Sequence, residues 1–153
     1  MSSYDGSAIY IQSCAFNEAY GNKIEVSKLK GDGINIALGD RRLDRIKDPK
    51  QEHADCYCHD NRVYDNVIIY QGESGRSGVS TQNPPGWDSN RFDGNTYHFP
   101  AGSPMARFMW GYRRMTFEQF QGKGQEVKGT VSHNVQPLKY EWSWSKVRER
   151  TKQ

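Results

Sequence analysis

The sequence predicts an α+β fold, with an N-terminal hairpin, one helix and a twisted antiparallel sheet with long loops, all in a single domain of residues 1–153. Three observations predict it. Two alternating runs rich in strand formers, Ala8–Phe16 and Lys23–Lys30, flank the turn chemistry of "NEAYGN". A stretch with helical apolar spacing follows them. The remainder is a series of short strand-like runs broken by Gly, Pro and Asn, with no internal repeat evident.

The helix is expected in "INIALGDRRLDRIK". Asp32 offers a cap, Ile36, Leu43 and Ile46 share one face, and Pro49 ends the run. "NVIIYQG" then suits a buried central strand, and residues 72–95, dominated by Gly, Ser, Asn, Asp and Pro, read as one long loop of the kind that is usually functional. "TYHFP", "ARFMWGYRRMTFEQF", "EVKGTVSHN" and "LKYEWSWSKV" supply the later strands.

Composition narrows the function classes. Apolar residues make up 35% of the 153, but nine Tyr, six Phe and four Trp provide bulk for a core. No apolar run is long enough to span a bilayer, and the first residues lack the basic and apolar regions of a signal peptide, so no membrane partner is expected, and a mature secreted form would read the same way. The net charge of +3 hides an asymmetry: residues 101–153 carry ten Lys/Arg against four Asp/Glu, whereas residues 1–100 carry eleven against fourteen. A basic segment interleaved with aromatics suits a polyanion such as RNA.

The densest polar stretch is "HADCYCHDNRVYDN". Its Cys-x-Cys with His53 and His59 lacks the spacing and the second ligand pair of a zinc site, so neither metal nor cofactor is expected. Cys14, Cys56 and Cys58 allow at most one intrachain bridge. Tyr57 and His59 would share one strand face, His98 sits between aromatics that face the other way, and His133 ends a strand-like run. Histidines with an arginine suit phosphodiester transesterification, which needs a base, an acid and a cation for the phosphoryl oxygens.

In sequence order, "YCH" at 57–59, "YHFP" at 97–100, "GSPMAR" ending at Arg107 and "GTVSHN" around His133 resemble the motifs of the fungal guanyl-specific ribonucleases and ribotoxins. The resemblance implies a metal-independent endoribonuclease, or a secreted effector that keeps the scaffold, loses cleavage and binds RNA or a host protein. It makes His59 an electrostatic stabiliser or auxiliary base, Arg107 the phosphate clamp and His133 the general acid. It makes Tyr57 a phosphate hydrogen-bond donor, and Arg113 and Arg114 of the basic segment are further substrate-binding candidates. His98 stands where the family has its general-base Glu, and the family's Tyr-Pro-His is Tyr-Cys-His here.

Two other readings compete. The spacing of His59, Asn61, Asp65 and Gly72, then Gly94, Pro100, Gly102, Met105 and Met109, is similar to the two cupin motifs, with most ligand types replaced. Alternatively, a β-rich carbohydrate-binding module would use Trp87, Trp110, Trp142 and Trp144 as stacking platforms.

Overall fold

A computed structural model describes residues 6–12, 14–26, 31–37, 58–72, 74–81 and 86–136. Tyr57, Cys56, His53, Trp142, Trp144, residues 38–47 of the expected helix and the expected strand at 138–147 lie outside them.

The chain winds through three sheets in turn and returns to the first, giving a three-faced, mostly parallel β-solenoid. The first coil is β1 (Ser7–Gln12), β2 (Glu18–Tyr20) and β3 (Lys23–Val26). The second is β4 (Asp32–Ala37), β5 (Arg62–Tyr64) and β6 (Val67–Tyr70), and the third is β7 (Ser77–Val79), β8 (Arg91–Asp93) and β9 (Thr96–Pro100). The fourth opens with β10 (Phe108–Trp110), turns back through β11 (Arg113–Met115) and α1 (Phe117–Gln121), and rejoins the winding at β12 (Thr130–Val135). The first sheet is ordered β1-β4-β7-β10-β11, the second β2-β5-β8 and the third β12-β9-β6-β3. Among the described strands, only β10 and β11 pair antiparallel.

This architecture overturns the expected α+β fold. The run expected to begin a helix is strand β4 over Asp32–Ala37, buried along its whole length, because Ile34 and Ile36 alternate at the strand period. The two N-terminal runs do form strands, but not a hairpin: β1 pairs parallel with β4 and β3 with β6. The supposed loop at 72–95 contains β7, a single 3-10 turn at Trp87–Ser89 and β8. The "NEAYGN" turn likewise contains β2.

Each coil places its apolar residues in register with those of the next. One inward column runs Ile24, Ile68, Tyr97, Val131, and the next begins Val26, Tyr70. Stacking continues that second column, with Tyr70 and Phe99 centroids 4.9 Å apart and the His133 ring 5.5 Å from Phe99. At the far end α1 packs Phe117 and Phe120 against this core; Phe120 lies 5.2 Å from Phe108 and 5.9 Å from Trp110. The helix starts there because Thr116 and Gln119 form a reciprocal capping box.

Two asparagine ladders bound the second sheet. Asn17, Asn61 and Asn90 stand at the corner before it, and Asn22, Asn66 and Asn95 at the corner after it. In each ladder a side-chain carbonyl accepts from the backbone N–H and the side-chain amide of the neighbouring rung, at 2.8–3.0 Å. The second ladder ends on Glu126. Its carboxylate accepts from the Asn95 side chain at 2.6 Å, the Asn95 N–H at 3.1 Å and the Tyr97 hydroxyl at 2.7 Å.

Candidate functional site

The solenoid separates most of the residues singled out from the sequence. Arg107 is 3% exposed at the corner before β10. Its guanidinium donates to the carbonyls of Gly75 and Gly72 and lies 4.9 Å from the Tyr70 ring centre and 4.7 Å from that of Phe99. It ties the third-to-first-sheet corners of two coils together, and burial pulls its pKa down. His133 packs against the same Phe99 ring. His98 instead turns outward from the third sheet, with Nδ1 2.7 Å from Ser132 Oγ, while its neighbours Tyr97 and Phe99 turn inward. His59 lies at the corner before β5, its Nδ1 2.7 Å from Asp60 and its ring edge-on to Phe16. Arg113 and Arg114 are exposed on β11, the edge strand of the first sheet. Arg107 and His133 thus meet at Phe99, while His98 and His59 are directed elsewhere.

The other candidates also fall into structural places. Asn61 is a buried ladder rung, and Asp65 holds a left-handed corner at φ 54. Trp87 and Trp110 pack on one another at 5.2 Å and join the core, so neither is a free platform. No cluster of His, Cys, Asp and Glu suited to a metal occurs among the described residues. The Cys14 and Cys58 thiols donate to the carbonyls of Gln12 and Ala37, both at 2.9 Å.

The outer face of the second sheet carries the groups available for a ligand. Each of its strands has three residues, of which the middle one, Ala19, Val63 or Phe92, is buried. Strand alternation therefore turns the first and third outward. The register aligns Glu18, Arg62 and Arg91 in one outward column and Tyr20, Tyr64 and Asp93 in the other. Neighbouring strands lie about 4.8 Å apart, so groups in a column repeat at nearly that spacing. Tyr20 and Tyr64 stack with centroids 5.0 Å apart and planes 6° from parallel. Tyr64 also donates to Glu18 at 3.3 Å, and Arg62 approaches the same carboxylate at 4.0 Å. Arg91 Nη1 donates to the carbonyls of Asp88 and Asn90 at 2.7 and 2.9 Å, which holds its guanidinium beside the 3-10 turn at the edge of this face.

Two grooves share Arg62 and Arg91. One, of about 440 Å³, extends to Phe16, Glu18, Asp60 and Ser89; the other, of about 320 Å³, extends to Tyr64, Asp65, Asp93, Gly94 and Lys128. Together they hold three cations (Arg62, Arg91, Lys128) and four carboxylates (Glu18, Asp60, Asp65, Asp93). Asp60 is held below the usual carboxylate range, first by its hydrogen bond with His59.

None of these residues belongs to the set drawn from histidine order. The signal that would have found them is Asn-x4-Asn, at Asn17/Asn22, Asn61/Asn66 and Asn90/Asn95, with an apolar residue two places after the first Asn. Aligning the three copies superposes the outward positions. Comparison of the chain with protein-family models, with curated proteins and with solved structures found no match.

Proposed function

We propose that this chain binds an extended polysaccharide across the outer face of its second sheet. The observation that carries the reading is the arrangement of that face: a stacked tyrosine pair beside arginines and carboxylates, above grooves that join through Arg62 and Arg91. Sugars offer an apolar C–H face together with hydroxyls that both donate and accept. Aromatic rings suit the first, and interleaved carboxylates and guanidiniums suit the second. A strip with four carboxylates for three cations is a poor match for a chain of phosphates, whose affinity comes from cations neutralising each charge. A repeating surface with a period near 5 Å also suits a repeating ligand.

The test is a binding screen of the purified protein against immobilised oligosaccharides and single-stranded RNA, with the Arg62→Ala/Arg91→Ala double variant alongside. Glycan retention that disappears in the variant at an unchanged melting temperature supports the reading. RNA binding that falls steeply with salt, with no glycan retained, would replace it with a nucleic-acid function.

A further inference from the structure

The tyrosine column of the second sheet is interrupted. Tyr20 and Tyr64 stack in adjacent coils with near-parallel rings, but the next partner in register is Asp93. One face of Tyr64 is covered by Tyr20, and its other face looks along the solenoid toward the position a third ring would fill. That position coincides with the groove of about 320 Å³ lined by Tyr64, Arg62, Arg91, Asp65, Asp93 and Lys128.

The groove is kept open by two local devices. Gly94 sits at φ +70, and a Cβ there would come within 2.8 Å of Asp65 Oδ1, so no side chain crowds the mouth. Asp93 Oδ1 accepts from the Lys128 backbone N–H at 2.8 Å, which holds the chain before β12 against the groove and brings Lys128 to its rim. Charge distinguishes this groove from its neighbour. Arg62, Arg91 and Lys128 against Asp65 and Asp93 leave one excess positive charge here, whereas Arg62 and Arg91 balance Glu18 and Asp60 in the other.

We infer that this space is a subsite for one hexuronate ring of an otherwise neutral polysaccharide, the single charge that the one excess cation of this groove can match. The ring continues the column by laying its C–H face on Tyr64. Its hydroxyls donate to Asp93 and Asp65, and its carboxylate is held by the Arg91 guanidinium and Lys128. The inference rests on the glycan-binding reading and adds the ring's place and charge.

The experiment is calorimetric titration of the full chain with a neutral oligogalactose and with the oligomer of the same length in which one ring is galacturonate. The uronate oligomer is expected to bind at least tenfold more tightly, and Lys128→Met to remove most of that preference. Tyr64→Ala should weaken uronate binding at least tenfold, and Tyr64→Phe should retain it. Asp93→Tyr supplies the missing ring from the protein itself, so it should keep the fold, read by circular dichroism and melting temperature, and abolish binding. Unchanged uronate affinity in both Tyr64→Ala and Asp93→Tyr would overturn the subsite while leaving glycan binding elsewhere on the face intact. Equal affinity for the two oligomers would overturn the assignment to uronate, and binding of neither would refute the glycan reading and the subsite with it.

Discussion

The asparagine ladders predict a gradient of stability along the solenoid, and Asn66 is the position at which to measure it. Its Oδ1 accepts from Asn22 N and Nδ2 at 3.0 and 2.9 Å, and its Nδ2 contacts the carbonyls of Ala19 and Tyr64 and Asn95 Oδ1 at 2.8–3.0 Å. Asn66→Ala removes all of these while the Asn66 backbone N–H still donates to Asn95 Oδ1. The Asn22 N–H and the Ala19 carbonyl then lose ladder partners. Only the Ala19 carbonyl is left fully buried; at about 1–3 kcal/mol for it and roughly 1 kcal/mol for the part-buried Asn22 hydrogen bond, the loss should be roughly 3 kcal/mol. Asn22 is the exposed end rung, and Asn22→Ala removes only Nδ2 contacts to Tyr20 O and Asn66 Oδ1, which predicts about 1 kcal/mol. Because the two share a hydrogen bond, the double variant should lose less than the sum. Urea unfolding with an unchanged m-value reads these differences directly. Equal losses at Asn22 and Asn66, or a loss below about 1 kcal/mol at Asn66, would refute the argument that buried rungs hold the corner.

Three further outcomes follow from buried groups. Burial pushes the Glu126 carboxyl up to about 7 from an ordinary 4.5, against the pull of hydrogen bonds from Tyr97 and Asn95. The folded state therefore holds an extra proton between those values. Its contribution is fully present below about pH 4.5 and is lost as pH rises through about 7, by up to about 3 kcal/mol. Urea midpoints at pH 5 and pH 8 should show that fall, and Glu126→Gln should flatten it. Arg107→Lys should cost about 2–4 kcal/mol despite keeping the charge, because an ammonium cannot reach both glycine carbonyls and lie flat on Tyr70 and Phe99; thermal melting within 2 °C of the parent would contradict this. Gly78→Ala should cost upward of about 2 kcal/mol, since φ is +131 and the new Cβ would meet the Met109 carbonyl across β7–β10; hydrogen exchange should quicken first in those strands.

Much of the strand content was legible in the sequence, and the pairing was not. Ile9 and Ile11, Ile24 and Val26, and Tyr97 and Phe99 alternate at period two, which marks β1, β3 and β9 whatever they pair with. Alternation is silent on direction, and two runs close in sequence with a turn between them read equally well as a hairpin. What decided against the hairpin is the corner chemistry. Phe16, Asp60, Gly21, Asp65 and Gly94 adopt positive φ beside the ladder asparagines, turning the chain into the next sheet instead of back on itself. The repeat was hidden because its copies are unequally spaced, 44 residues from Asn22 to Asn66 and 29 from Asn66 to Asn95, the longer interval containing residues 38–57.

The solenoid also explains why order along the chain does not by itself bring these histidines together. Within one solenoid, residues far apart in sequence come together only if they occupy the same position in successive coils. His59 is at a corner, His98 faces outward, and His133 extends an inward column. By contrast, Glu18, Arg62 and Arg91 each follow a ladder asparagine by one residue, and Tyr20, Tyr64 and Asp93 each follow one by three. Those offsets are sufficient to place them on one outer face without coordinates, since the sheet alternates and the ladder sets the register. The replacement of tyrosine by aspartate in the third copy is therefore a sequence signal as well as a structural one: it converts the end of an aromatic column into an open ring-sized space with a carboxylate at its floor and arginine at its side.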